Sequence, residues 1–183
     1  GGSRDVSGHI LRDVFGMHSP YNVPHGFFLP DGAKMSSSKG IGASAREMNA
    51  FLSPEMLRYL MLSTPPKRAI NFSPSENYIV KLYNDFDGVR NAAFSGLEDK
   101  DQQREIYRIS ELDVSENYSI PGFSLVKNLV QMPHIDIFTA ARELKGEGLT
   151  EMEASRLGGR IQSARFWLDH YAEEDDKFAI QHE

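Results

Sequence analysis

Residues 32–40, GAKMSSSKG, combine the side chains that a phosphate-binding loop requires. Lys34 and Lys39 can each hold a phosphate oxygen as a point charge, and the serines between them offer hydroxyl and backbone N–H donors. Glycines at both ends leave such a loop free to open and close. The same composition also suits an ordinary solvated loop, and the G-x-x-x-x-G-K-[ST] pattern of a P-loop is absent from it. The residue types alone therefore leave both interpretations open.

The elements ahead of this segment place it at the end of a strand. Residues 5–15 carry apolar side chains on one helical face, and Gly16 supplies a stop. Residues 26–30, GFFLP, form an apolar run of strand length that ends at Pro30. The order of helix, strand and glycine-rich loop suits the trailing half of a βαβ unit. Ligands of open α/β sheets bind at the carboxyl ends of the strands, where this loop is expected.

The middle of the chain reads as two short helices, a strand and a long helix. Ser53 and Pro54 have the types preferred at an N-cap and at the first helical position, and Ser73 with Glu76 fits a capping box. The predicted elements are helices over 44–52 and 54–63, a strand over 69–72 and a helix over roughly 74–96.

The last third of the chain reads as a polar linker followed by helices. Residues 98–121 are polar and mixed, and they are interpreted as a linker or edge strand at a domain boundary. Helices are predicted over 122–131, 135–144 and 150–171, the last with an apolar stripe at helical spacing. The pattern predicts a mostly α protein with a small α/β part.

The amino-acid composition limits the classes of protein to which the chain can belong. The 183 residues allow one or two domains, and a formal net charge of −6 argues against a general nucleic-acid binder, which needs a large basic field. The absence of cysteine excludes disulfides and thiolate metal sites and favours a reducing, cytoplasmic location. No apolar run has the length of a membrane span, and the histidines form no H-x-x-x-H pair, so neither a membrane anchor nor a bound metal is predicted.

The string KMSSSKG resembles the KMSKS signature of class I aminoacyl-tRNA synthetases. The wider text resembles the class I lysyl-tRNA synthetases, the largely archaeal type, through GGSRDVSGHILRDVFG, FFLPDGAKMSSSKG and LSPEMLRYLMLSTPPKRAINFSP. This resemblance covers roughly residues 1–97, whereas 98–183 match only in being helical. Other class I synthetases, for arginine, methionine or glutamate, stay as near alternatives, because lysine selection lies mostly outside this part of the family's sequence.

The resemblance implies adenylate formation from ATP, as its Mg²⁺ complex, and L-lysine, followed by transfer of lysine to tRNA(Lys). In the family the loop folds over ATP, and its lysines steady the β- and γ-phosphates as pyrophosphate leaves. Lys34 matches the first signature lysine. Ser37 stands where the second is usual, so Lys39 is the expected substitute. The implied ATP-binding set is Lys34, Met35, Ser36, Ser37, Ser38 and Lys39.

The resemblance also divides the chain into three parts. Residues 1–43 match the end of the catalytic, Rossmann-like nucleotide fold, 44–100 the stem-contact region, and 101–183 the start of an α-helical tRNA-binding bundle. The family's second signature, HIGH-like, is not found, since His9-Ile10 is followed by leucine. We therefore expect an interior piece of a longer protein, inactive without the N-terminal catalytic half. A lone helix and strand in 1–40 would leave apolar faces uncovered.

Further site residues follow from the same comparison, each with an alternative. Gly2, Arg4 and Asp5 border the amino-acid and adenylate pocket in the family, although Asp5 could instead cap its helix. Lys67 and Arg68 fall in the stem-contact region, where they could hold tRNA phosphates, or they could lie in an ordinary exposed turn.

The predicted last helix carries cations and aromatic side chains. Arg156 and Arg160 share a face at i, i+4 and could contact tRNA, but a solvated face balanced by nearby glutamates is the favoured alternative. Trp167 adjoins the apolar stripe, so packing is expected in preference to base stacking. A stand-alone RNA-binding module without catalysis is the alternative from another functional class. The segment 32–40 argues against it, because RNA binding alone gives no reason for a pyrophosphate loop.

Overall fold

Helices make up most of the described chain, with one small sheet among them. The structure is a computed structural model that describes residues 2–30, 45–97, 100–111 and 116–178. Its helices and strands confirm the prediction of a mostly α protein with a small α/β part. In chain order they are α1 (Ser3–Asp13), β1 (Phe28–Pro30), α2 (Ala45–Phe51), α3 (Pro54–Leu62), β2 (Ile70–Phe72), α4 (Glu76–Phe94), α5 (Asp101–Ser110), α6 (Phe123–Leu129), α7 (Ile137–Lys145), α8 (Glu151–His170) and a 3-10 turn (Glu174–Asp176).

The two predicted strands pair with each other in parallel. Phe28 lies opposite Ile70, and Pro30 lies opposite Phe72. A parallel pair needs a crossover connection, which here runs through α2 and α3. The rings of Phe28 and Phe72 stack with their centroids 5.9 Å apart on one face of this pair. The sheet therefore joins the predicted ranges 1–43 and 44–100, whose boundary stays a prediction.

Local sequence signals explain the starts of α3 and α8. The Ser53 side chain accepts the N–H of Met56 at the start of α3, and Thr150 with Glu153 forms a complete capping box at the start of α8. The predicted capping box at Ser73 is wrong. Helix α4 begins at Glu76, two residues later than predicted, and the Ser73 hydroxyl accepts the N–H of Ser75 outside the helix.

The interpretation of residues 98–121 as a linker or edge strand is wrong over its first half. Asp101–Ser110 form α5, which packs against α3 and α4. Its one deeply buried large side chain is Tyr107, whose ring lies 5.8 Å from that of Phe86. A helix that buries so narrow a stripe keeps a polar composition, because its other faces meet water.

One hydrophobic cluster runs from Met48 to Trp167 and so joins the predicted ranges 44–100 and 101–183. On α8 the predicted stripe points inward, with Leu157, Ile161 and Ala164 buried. Trp167 is 1% exposed, and its indole N–H donates to the carbonyl oxygen of Pro74 at 2.6 Å. The prediction that Trp167 packs inside the fold is confirmed.

Helix α1 lies outside this core. It has no buried residue, although its sequence is amphipathic. The large apolar side chains that stay exposed on α1 and on the segment after it are Val6, Ile10, Val14, Phe15, Met17, Tyr21, Val23 and Phe27. Among the described residues, no helix is long and apolar enough to cross a bilayer.

Candidate functional site

The predicted phosphate loop falls outside the described residues. This holds for its six implied ATP-binding residues, Lys34, Met35, Ser36, Ser37, Ser38 and Lys39. The described chain stops at Pro30, the last residue of β1, and resumes at Ala45, the first residue of α2. The assignment of Lys34 and Lys39 to ATP phosphates therefore stays a prediction.

The N-terminal end of α1 holds the second group of predicted site residues. Gly2 is the N-cap, and its carbonyl oxygen accepts the N–H of Asp5 at 3.1 Å. Its φ of 110° and ψ of −159° are backbone angles open mainly to glycine. Asp5 is thus not the N-cap. It lies in the first turn of α1, where a negatively charged carboxylate interacts favourably with the helix dipole.

A cavity of about 350 Å³ lies beside this helix end. Arg4 lines it and donates a hydrogen bond to the side-chain oxygen of Asn22. Ser3, Ser7, Ser19 and Tyr21 line it as well, together with the apolar residues Leu11 and Pro20. The wall therefore combines one arginine and hydroxyl-bearing residues with apolar ones.

Lys67 and Arg68 lie in a turn that is docked against the chain just before β1. The carbonyl oxygen of Pro66 accepts the N–H of Gly26 at 2.6 Å, and Ile70 donates to the carbonyl of Phe27 at 2.8 Å. A Cβ on Gly26 would lie 2.1 Å from the Arg68 carbonyl oxygen, so only glycine fits this close approach.

The two cations of this turn point to solvent. Both Lys67 and Arg68 are exposed. Within the described ranges, no hydrogen bond or ion pair of either side chain is found. Such exposed cations can hold phosphate oxygens, which is the role predicted for them in the stem-contact region.

Arg160 has a different environment from the one expected. It is 5% exposed and makes two hydrogen bonds, of 2.8 and 3.0 Å, to the carboxylate of Asp87 on α4. It also donates to the carbonyl oxygen of Pro121 at 2.8 Å. Arg90, which is equally buried, holds the same Asp87 carboxylate at 2.8 Å. Two buried arginines thus enclose one half-buried carboxylate between α4 and α8.

Arg156 joins α8 to two further parts of the fold. Its guanidinium lies 3.3 Å from Glu55 on α3 and donates to Glu111 at 2.5 Å. Burial would raise the pKa of Glu55, but hydrogen bonds from a backbone N–H and from Ser53, together with the charge of Arg156, lower it overall. The ring of Tyr118 lies 4.2 Å from Arg90 and 5.8 Å from Arg156, so it adds cation–π contacts to both.

These contacts correct the reading of α8 as a solvated basic face. Arg156 and Arg160 do share one side of the helix, as predicted, but that side faces carboxylates inside the fold. Because a buried charge that leaves its partner is strongly destabilising, the Arg160 guanidinium is not available for a tRNA phosphate without loss of structure. The Arg156 guanidinium is partly exposed but is held by Glu55 and Glu111. Sequence reasoning missed the partners Glu55, Asp87 and Glu111, which lie far away along the chain. The only local signal was the i, i+3 spacing of Asp87 and Arg90.

No group of three or more histidine, aspartate or glutamate side chains able to hold a metal ion occurs in the part of the chain that the structure describes.

Comparison with known proteins relates the chain to one family. Residues 1–113 match the family described as "tRNA synthetases class I (K)". Over 98% of its length, the chain is similar to the lysine–tRNA ligases of Pyrococcus furiosus, Archaeoglobus fulgidus and Thermoplasma volcanium, with identities of 29%, 30% and 31%. The aligned region makes up 36%, 35% and 35% of those proteins. The chain therefore spans about a third of the length of these curated relatives.

Proposed function

The chain belongs to the class I (K) tRNA synthetase family, and on that premise we propose that it forms part of a lysine–tRNA ligase. The observation that carries the proposal is similarity along 98% of the chain to proteins described by that name. The parent polypeptide, in which this chain continues into the remainder of the synthetase, activates L-lysine with ATP and transfers it to tRNA(Lys). A cytoplasmic location follows from this role.

The proposed chemistry is adenylate formation followed by acyl transfer. The lysine carboxylate attacks the α-phosphorus of ATP, the bond to the β-phosphate breaks, and pyrophosphate leaves with its Mg²⁺. A hydroxyl of the terminal tRNA ribose then attacks the lysyl carbonyl, and AMP leaves. Lys34 and Lys39 are assigned to the β- and γ-phosphates, with donors from residues 35–38. Their charges stabilise the transition state as negative charge moves onto pyrophosphate.

The N-terminal end of α1 is assigned to the edge of the lysyl-adenylate pocket. The cavity beside Arg4 supports this assignment, since a guanidinium at its wall suits an anionic ligand. Residues 1–43 then form the end of a Rossmann-like nucleotide fold. The exposed apolar side of α1 supports this as well, because such a side needs cover and the relatives are about three times as long as the chain.

The tRNA contacts are assigned to the exposed turn before β2. Lys67 and Arg68 hold backbone phosphates there, which positions the tRNA without reading its sequence. Residues 44–100 then serve as the stem-contact region, and 101–183 begin the helical tRNA-binding bundle. Arg156 and Arg160 are left out of this interface, because internal carboxylates hold them.

The test is ATP–pyrophosphate exchange by the parent polypeptide, against each of the twenty amino acids, with and without tRNA. We expect exchange with lysine alone. Exchange with arginine, methionine or glutamate would keep the class of enzyme and discard the lysine assignment. No exchange under either condition would instead favour an RNA-binding module without catalysis.

A further inference from the structure

A cavity of about 390 Å³ lies beside the turn that presents Lys67 and Arg68. Its walls come from residues 25–28, from Met61 near the end of α3, and from residues within 64–70. The volume falls in the range of about 300–1,000 Å³ that is typical of small-ligand sites. Most of the wall is apolar, and the apolar side chains in it are Phe27, Phe28, Met61, Pro65, Pro66 and Ile70.

Backbone hydrogen bonds hold the two sides of this cavity together. The N–H of Gly26 donates to the carbonyl oxygen of Pro66 at 2.6 Å, and the N–H of Ile70 donates to that of Phe27 at 2.8 Å. Two consecutive prolines, at positions 65 and 66, restrict the turn further, because each fixes its own φ. The cavity is therefore formed before a ligand binds, as is usual for ligand sites.

Two large apolar side chains of the wall stay open to solvent. Phe27 is 59% exposed and Met61 is 46% exposed. Phe28, in contrast, is half-buried and stacks on Phe72 at 5.9 Å. An exposed aromatic ring can stack with a nucleobase of any identity, because every base has a flat π face. Phe27 offers such a surface.

The rim of the cavity is positively charged. Arg68 lines it, Lys67 precedes Arg68 in the same turn, and both are exposed. Among the described residues, no aspartate or glutamate lines the cavity. The site thus suits an anion that carries a flat apolar group. A nucleotide has this combination, and grooves that bind single-stranded nucleic acid pair cations with aromatic rings in the same way.

We propose that this cavity receives one unpaired nucleotide of the tRNA, with its base against Phe27 and Met61 and its phosphate at Arg68. The inference rests on the proposed function, which assigns tRNA phosphates to the same turn. The base must be unpaired, because a base inside a stem is stacked on both faces and cannot enter a cavity. Phosphate contacts alone position the backbone, whereas this site also fixes which part of the tRNA meets the turn.

The test measures the affinity of the parent polypeptide for a tRNA(Lys) transcript at several salt concentrations. We expect Phe27→Ala to weaken binding about tenfold, the loss of one base–aromatic stack, and to leave the slope of log affinity against log salt unchanged. Phe27→Tyr keeps the ring and should stay within about twofold of the wild type. Leu62→Ala is the matched control, since Leu62 follows Met61, is 42% exposed and is not part of the cavity wall.

Abasic transcripts identify the bound nucleotide. One base at a time is removed from the unpaired positions, and each transcript is tested with the wild type and with Phe27→Ala. At the bound position, base removal should cost the wild type about tenfold and Phe27→Ala about twofold or less, because the stack is already lost. The proposal is overturned if Phe27→Ala binds like the wild type, if Leu62→Ala weakens binding equally, or if every abasic effect is the same in both proteins. If Phe27→Ala does not fold, Met61→Ala carries the same comparison.

Pyrophosphate exchange separates this inference from the proposed function. Lysine-dependent exchange in the wild type, with normal tRNA binding by Phe27→Ala, overturns the nucleotide site alone. A protein segment in the cavity would give that result, together with a lower Tm for Phe27→Ala. A wild type without lysine-dependent exchange, whose tRNA affinity still falls in Phe27→Ala, defeats the proposed function and retains the nucleotide site.

Discussion

At the scale of single residues, buried charges are the main feature of the described chain. Asp87 is shared by Arg90 and Arg160, and Arg156 is shared by Glu55 and Glu111. Buried ion pairs contribute little net stability when desolvation is counted, but removal of one partner costs about 3–5 kcal/mol. These groups therefore set which faces of α3, α4 and α8 can meet, and they oppose other packings of the same helices.

Glu153 gives the clearest dependence of stability on pH. Burial would raise the pKa of its carboxyl, but hydrogen bonds from Lys145 and from the backbone N–H groups of Ser119 and Thr150 lower it from 4.5 to about 2. Because the folded pKa lies below the unfolded one, the stabilisation is fully present above about pH 4.5 and is lost as the pH falls towards 2. A fall of this size corresponds to roughly 3 kcal/mol, at about 1.4 kcal/mol per pH unit.

We expect Glu153→Gln to lower the free energy of unfolding by up to about 3 kcal/mol at pH 7. The difference from the wild type should shrink as the pH is lowered from 5 to 3. Urea unfolding at each pH measures it. Glu105→Gln is the control, since Glu105 pairs with Arg108 on the surface and should give a much smaller change. If the difference in the free energy of unfolding between variant and wild type did not depend on pH, the stabilisation could not come from the ionised carboxylate.

The proposed activity makes a second prediction at this scale. In the parent polypeptide, Lys34→Ala should slow lysine activation on the order of 100-fold, because one charged contact to the leaving phosphates is lost. Lys81→Ala should leave the rate unchanged, since Lys81 is exposed and pairs with Asp85 on the same helix. Single-turnover formation of lysyl-adenylate measures the step. An unchanged rate in Lys34→Ala would remove this residue from the site.

At the scale of elements, the parallel strand pair is short and needs support from both sides. Each strand has three residues, fewer than an isolated pair needs to be stable. The support comes from the rings of Phe28, Phe72 and Phe51 on one face and from the backbone contact of Gly26 with the turn before β2. That contact also sets where Lys67 and Arg68 are presented.

Gly26→Ala tests the close approach. The new Cβ would meet the carbonyl oxygen of Arg68, so the two chains must separate, at a cost of about 2 kcal/mol in the free energy of unfolding. Gly88→Ala is the matched control, because a Cβ on Gly88, inside α4, meets no atom within 4 Å. It should stabilise the protein by up to about 1 kcal/mol, the difference in helix propensity. Denaturant unfolding of both variants decides the point, and equal midpoints would disprove the close approach.

At the scale of the whole molecule, the residues that stabilise the fold are distributed unevenly along the chain. The hydrophobic cluster extends from Met48 to Trp167, whereas α1 buries none of its residues. Deletion of residues 2–24 should therefore change the free energy of unfolding of this chain by roughly 1 kcal/mol or less. Phe28→Ala, which removes the ring stacked on Phe72, should cost more, about 2 kcal/mol. Thermal unfolding followed by circular dichroism compares them. A large loss on deletion would show that α1 supports the core.

The net charge of this chain is −6, so any tRNA contact that it makes under the proposed function requires local cations instead of a general basic field. The double variant Lys67→Ala, Arg68→Ala should weaken tRNA binding by the parent polypeptide about equally for different tRNAs. It should also reduce the slope of log affinity against log salt by up to about 2, roughly one for each lost phosphate contact. Arg108→Ala, an exposed cation elsewhere, is the control. An unchanged slope would place the tRNA interface on another surface.

The sequence by itself determined the features that depend on neighbours along the chain. Ser53 caps α3, strands form within the predicted ranges 26–30 and 69–72, and the stripe on α8 faces inward. Caps, apolar runs and periodicity are local properties of the sequence. The family was likewise recognisable from the residues around GAKMSSSKG, and the match over 1–113 agrees with it.

Only the tertiary structure decided what each face meets. Periodicity shows that Arg156 and Arg160 share a side of α8, but their carboxylate partners come from α3, α4 and the chain after α5. The helical state of Asp101–Ser110 was missed for the same reason, since its narrow apolar stripe gains its stability from packing on α3 and α4. Local pattern specifies the direction of a side chain, whereas its partner depends on contacts between segments far apart in the sequence.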